Sequence, residues 1–335
     1  MQDSSPSRSR TIRPPQLSPS SESPSVQRTE PDITKSNEIW FEDGNLILAS
    51  NNVYFRVYKG ILALHSPVFQ DMVNFPQPRS VDEFEGCPVV RMYDEPGDVM
   101  HFLKALHDVS YFDLFMAQSI KWTCFSAILR LSTKYQVEFL RQRAYKLLSS
   151  LYPTTLAKWD ARDSITSLES FEARPFAVYL LAKEADLPSV LPAALYLCAD
   201  SQDINYILEG LESHDTKHIQ LEWQDKKACI RAREVLSIAL RTRMFAFLTG
   251  QIAFPGCRST SMCNNTRVKW LQGVEASLGS GVFSVSFPWD QFKVGLCDHC
   301  FNASQNHYDT ERGRLWDELP EILDLPPWNQ LPSAS

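Results

Sequence analysis

The hydrophobic period of this chain changes once, from two to 3.6, and that change limits the folds open to it. Val53, Phe55 and Val57 alternate with Tyr54, Arg56 and Tyr58, so one set faces a core and the other is partly solvated. Leu46-Ile47-Leu48 precedes them across Ser50-Asn51-Asn52. Asparagine tolerates positive φ, so a hairpin is expected. Ser66 is a good helix cap and Pro67 suits a first turn, which predicts a helix to about Asn74. Val89-Val90-Arg91-Met92 reads as one more short strand. Helical stripes follow: Val99, Phe102, Leu103 and Leu106; then Ile120, Cys124, Ala127, Ile128, Leu131 and Tyr135; then Leu140, Ala144, Leu147, Leu148 and Leu151. A small sheet followed by helices is an α+β pattern.

The rest of the chain reads as mostly helical over 174–185 and 190–198, with 222–249 as one long helix and loop from Gly273 onward. Residues 1–36 hold ten serines and six prolines, with only Ile12, Leu17, Val26 and Ile33 as large apolar residues. Such a segment buries too little surface to offset chain entropy, so a disordered tail is expected. The expected organisation is therefore a tail at 1–36, an α+β domain at 37–150, a helical domain at 151–250, and a loop-rich cap with cysteines and tryptophans at 251–335.

Glycine is scarce. Only 12 of 335 residues are glycine, against a usual share of about 7%, and none falls in the spaced sets that phosphate-cradling loops need. The catalytic signatures H-E-x-x-H, G-x-S-x-G and G-x-x-x-x-G-K-[ST] are also missing, so a non-enzymatic protein is expected. No run of 18 apolar residues marks a membrane span. The first thirty residues carry no apolar stretch of a secretory signal, which points to a reducing, cytoplasmic or nuclear setting. The net charge of −7 argues against a bulk nucleic-acid binder. Lys226, Lys227, Arg231, Arg233, Arg241 and Arg243 make one predicted helix basic, but Glu222, Asp225 and Glu234 dilute it, and a solvated face is the favoured reading over nucleic-acid contact.

Four of the eight cysteines, Cys257, Cys263, Cys297 and Cys300, lie close together in sequence. Cys297-Asp298-His299-Cys300 has the C-x-x-C spacing that lets two thiolates meet one tetrahedral Zn²⁺. Cys257 and Cys263 are five residues apart, outside the usual gap, with His299 and His307 as substitute ligands. Two readings stand: a structural zinc site on the four cysteines, or reduced thiols under a loop-rich cap, which the spacing favours. Cys124, Cys198 and Cys229 sit on predicted helices as small hydrophobes, and Cys87 lies in a turn.

Two strings go beyond generic patterning. Glu38-Ile39-Trp40-Phe41-Glu42-Asp43-Gly44-Asn45-Leu46-Ile47-Leu48 resembles the opening strand of a BTB/POZ domain, fungal type. Phe55-Arg56-Val57-Tyr58-Lys59-Gly60-Ile61-Leu62-Ala63-Leu64-His65-Ser66-Pro67-Val68-Phe69-Gln70-Asp71-Met72 resembles the family's most recognisable segment, as does Gly86-Cys87-Pro88-Val89-Val90-Arg91-Met92-Tyr93-Asp94. Tyr58-Lys59 stands where the family usually has His-Lys. The end of the chain, with its C-x-x-C pair, Leu315-Trp316-Asp317-Glu318-Leu319-Pro320 and Leu325-Pro326-Pro327-Trp328, resembles the tails that follow fungal BTB domains. The resemblance implies a protein-interaction adaptor that associates with itself as a homodimer or with other proteins, or a substrate adaptor on a cullin-type scaffold. Tyr54, Tyr58, Tyr111, Phe112, Phe115 and Trp122 are aromatic residues that could line such a surface, or could fill the core. Trp316, Leu319, Leu323 and Trp328 are expected to fold back onto the helical part, because exposing them would be costly.

Overall fold

The computed structural model describes residues 33–74, 82–108, 110–112, 119–162, 168–213, 217–249, 254–277, 281–283 and 287–332. Within them the chain opens with β1 (Thr34–Trp40), β2 (Leu46–Ser50) and β3 (Val53–Val57). β2 and β3 form the expected antiparallel hairpin, with Asn51 at φ 50° in its turn. Leu46, Leu48, Phe55 and Val57 join the main core, whereas Ile47, Ala49 and Tyr54 pack on the opposite face with Cys87.

α1 (Lys59–His65) and α2 (Pro67–Asn74) follow. Ser66 separates them and caps α2, its Oγ accepting the N–H of Phe69 at 3.1 Å and donating to the Tyr135 carbonyl at 2.5 Å. β4 (Glu83–Phe84) and β5 (Cys87–Met92) complete a five-stranded sheet in the order β1-β3-β2-β5-β4. β5 returns parallel to β2, and a parallel return needs a crossover, which α1 and α2 supply. α3 (Pro96–His107), α4 (Trp122–Lys134) and α5 (Glu138–Leu151) then pack in succession, on the stripes read from the sequence.

Beyond them lie α6 (Leu156–Ala161), α7 (Arg174–Glu184), a 3-10 turn at Pro188–Val190, α8 (Leu191–Ala199), α9 (Ile204–Leu208), a small hairpin of β6 (Leu211–Glu212) and β7 (His218–Ile219), and α10 (Trp223–Ala239). A π-turn at Leu240–Met244 ends α10. α11 (Thr260–Ser277), α12 (Trp289–Lys293) and α13 (Asp298–Ile322) close the chain. The whole is a mainly helical α+β structure. Apart from the small cluster of Ile47, Ala49, Tyr54 and Cys87, most of its buried apolar side chains, from Ile39 to Leu323, form one contiguous cluster that runs across positions 150 and 250.

Three expectations are corrected. The tail was expected to reach residue 36, but β1 begins at Thr34; residues 1–32 lie outside the described residues. β1 escaped notice because it is an edge strand with mostly exposed, polar side chains. The long helix over 222–249 stops at Ala239, because Arg243, Phe245 and Phe247 turn inward to meet Glu311, Tyr308 and Phe287. The loop-rich cap is instead built on α11 and the 25-residue α13. Trp316, Leu319 and Leu323 do fold back into the core, and Trp328 stacks on Trp316 at 5.7 Å.

Candidate metal centre

Phe254-Pro255-Gly256-Cys257 forms a tight turn, with the Cys257 N–H donating to the Phe254 carbonyl at 3.2 Å. Proline at the second position and glycine at φ +97° at the third are what a type II turn requires. The turn delivers Cys257 beside the start of α11, whose first turn carries Cys263. Thirty-four residues later Cys297 caps α13 and Cys300 lies in its first turn. The four Sγ atoms all fall within 4.8 Å of one another. A zinc ion bound at about 2.3 Å would hold four thiolates about 3.8 Å apart, so the sulfurs are within a small closure of tetrahedral ligation.

The backbone around the sulfurs is arranged for negative charge. The Cys297 N–H donates to Cys263 Sγ at 3.4 Å. In return the N–H of Arg258, with that of Cys300, points at Cys297 Sγ and pulls this thiol down to about 6. The Ser259 N–H lowers Cys257 in the same way. Burial acts oppositely on the inner pair, raising Cys263 and pushing Cys300 up to about 12. The set thus pairs two sulfurs near the rim, favoured toward the thiolate by backbone amides, with two buried ones shifted the other way by burial.

The mismatch in spacing between Cys257 and Cys263 disappears in three dimensions. Cys263 is presented by a helix rather than by a loop knuckle, so the gap is set by the turn and the start of α11. Neither histidine joins the cluster. His299 is exposed beneath Gly256, and His307 Nε2–H donates to the Arg243 carbonyl at 2.8 Å. Cys87, Cys124, Cys198 and Cys229 are separate, buried free thiols, Cys87 starting β5 rather than lying in a turn.

The aromatic residues weighed for an interaction surface are divided. Tyr54, Phe112 and Trp122 are interior, at 8%, 1% and 8% exposure, and so present no surface. Tyr58 and Tyr111 are half-buried, Tyr58 donating to Asp43 at 2.5 Å and Tyr111 sharing a hydrogen bond with His101 at 2.6 Å. Phe115 lies outside the described residues. Among the described residues of the N-terminal part, the most exposed large apolar side chains are Leu64 at 77% and Tyr93 at 94%, ahead of Ile33 at 45%. Sequence periodicity passed over both, since Leu64 sits in an apolar run and Tyr93 follows a strand.

Of the six basic residues of α10 and its π-turn, Lys227 and Arg241 are exposed as a solvated face would have them, while the other four are engaged. Lys226 Nζ donates to the Leu208 carbonyl at the end of α9, and Arg233 donates to the Ala199 and Ser201 carbonyls at the end of α8. Arg231 donates to the Ile322 carbonyl at the end of α13 and pairs with Asp324, and Arg243 pairs with Glu311 and Glu318. Cations favour helix C-termini, and three of these four side chains clamp them.

Compared with known proteins, the chain matches no family model, no curated protein and no solved structure. No helix among the described residues is long and apolar enough to cross a membrane.

Proposed function

We propose that this chain is a non-enzymatic interaction adaptor, with a BTB/POZ-type module at 37–150 and a structural zinc ion tying its C-terminal part. The observation behind the first half is where the resembling segments lie. The first spans the end of β1 and the start of β2, and the second runs through β3, α1, the Ser66 cap and α2. The third is β5, which returns parallel to β2. The segments that resemble the family thus all belong to one sheet and the two helices that cross over it. Leu64 and Tyr93, exposed on that module, supply the apolar anchors that protein contacts favour.

The test uses the full chain. Light scattering across a wide concentration range should show self-association, and affinity purification with mass spectrometry should retain a protein partner. Leu64→Asp with Tyr93→Ser should weaken either association while leaving the melting temperature nearly unchanged, as exposed substitutions do. A chain that stays monomeric and captures nothing overturns the reading.

The zinc half rests on the four convergent sulfurs and the amides aimed at them. Four gathered cysteine sulfurs, with no other donor in the group among the described residues, suit a structural ion. Metal analysis of purified protein should find one zinc per chain with four thiols shielded from titration. Substoichiometric metal with every thiol reactive overturns it.

A further inference from the structure

Arg267 poses a question that the cysteines answer. It lies one helical turn beyond Cys263 on α11, so the two share a face. It is only 6% exposed, yet its Nε and Nη2 have no hydrogen-bond partner. The guanidinium lies over the Phe254 ring at 4.1 Å, and Nη1 makes one long bond to Asn264 at 3.3 Å. It makes no ion pair with a carboxylate among the described residues. A buried cation left this way is strongly unfavourable unless an anion lies close by.

Four thiolates around one Zn²⁺ carry a net charge of −2, and such a centre at the edge of an apolar core is equally unfavourable alone. Cys263 and Cys300 are both fully buried. Arg267 and Cys300 lie close enough for their charges to interact. We infer that Arg267 is the built-in counter-ion of the metal centre, a positioning residue whose charge lets all four cysteines bind as thiolates. The inference rests on the zinc reading above. Phe254 has a matching part: it begins the turn that carries Cys257 and places its ring against the guanidinium.

The experiment compares full-length wild type, Arg267→Met, Arg267→Lys and the nearby exposed Lys269→Met, each loaded with zinc and titrated with a chromogenic chelator. Cobalt(II) in place of zinc reports the ligand set through its thiolate charge-transfer bands. Wild type and Lys269→Met should hold zinc equally. Arg267→Met should lose about 10–100-fold in affinity, the range for residues that support ligands without binding metal. Its cobalt spectrum should remain that of four sulfurs or lose one thiolate. Arg267→Lys, which keeps the charge, should stay within about threefold of wild type, against that 10–100-fold loss.

Arg267→Met binding as tightly as wild type overturns the inference and leaves the zinc reading intact. Arg267→Lys falling as far as Arg267→Met also overturns it, because packing on Phe254 rather than charge would then be the cause. Should Arg267→Met fail to fold, Arg267→Lys decides alone: retention supports the counter-ion role and a tenfold loss overturns it. Wild type that neither carries nor takes up zinc overturns both readings together, and is recognised before any variant is made.

Discussion

Gly256 and Gly295 bracket the sulfur cluster for different reasons. Gly256 has φ +97°, where an L side chain is strained, and a Cβ there would lie 3.4 Å from the His299 ring. Gly295 is crowded instead: a Cβ would come within 2.2 Å of Thr266 Oγ1, the atom that donates to the Gly295 carbonyl. Gly256→Ala should therefore destabilise by about 1–3 kcal/mol and loosen the hold on metal. Gly313, inside α13 with open space around it, should behave oppositely, Gly313→Ala adding about 0.5–1 kcal/mol. Thermal melts of the two variants should move in opposite directions; a common sign would refute the local account. The Pro255-Gly256 pair was readable as a turn from sequence. The crowding at Gly295 was not, because Thr266 approaches from another helix.

Helices in this protein are held at their ends. Arg243, in the π-turn after α10, reaches α13 with Nε on Glu311 at 3.0 Å and two further bonds to Glu318 at 2.6 and 3.0 Å. With a third of its side chain still exposed, solvent screens the pair. Arg243→Met should cost about 1 kcal/mol, seen as a small drop in melting temperature with zinc content unchanged. At the end of α3, His107 donates from Nδ1 to the Leu103 carbonyl and stacks on Phe41, while its buried Nε2 has no partner. Burial lowers its pKa below the ordinary histidine value, so the folded state holds it neutral. The unfolded chain binds the proton more readily. Stability from this group is therefore full above the unfolded value and is lost as pH falls through it toward the folded one. The melting temperature should drop between about pH 7.5 and about 5.5, and His107→Phe should drop less over the same interval. An equal drop in both proteins would remove His107 as a source.

At the scale of the molecule, one apolar cluster joins the sheet, the helices and the C-terminal segment. Trp159 and Trp316 mark the join: their rings lie 5.1 Å apart, Trp316 donates to the Thr154 carbonyl at 3.0 Å, and Arg312 reaches Asp160 on α6. With metal present, calorimetry should show one cooperative transition rather than two. A zinc chelator should lower that transition by on the order of 10 °C, since binding energy of a structural zinc is folding energy. Lower pH should make zinc leave more easily, because the thiols must lose protons to bind it. Two separate transitions, or a melt indifferent to chelation, would contradict this arrangement.

What the sequence determined by itself was whatever depends on neighbours in the chain. The hairpin at 46–57, the Ser66 cap, the stripes of α3, α4 and α5, and the Cys297–Cys300 pair all follow from local periodicity and turn chemistry. α13 was hidden by its polar composition, and β1 by its exposed side chains, because their stability comes from docking rather than from propensity. The second pair of sulfurs, the placement of Arg267 beside them and the inward burial of Tyr54, Phe112 and Trp122 were settled only in three dimensions. Each depends on elements brought together from distant parts of the chain, and spacing along the sequence carries no measure of that distance.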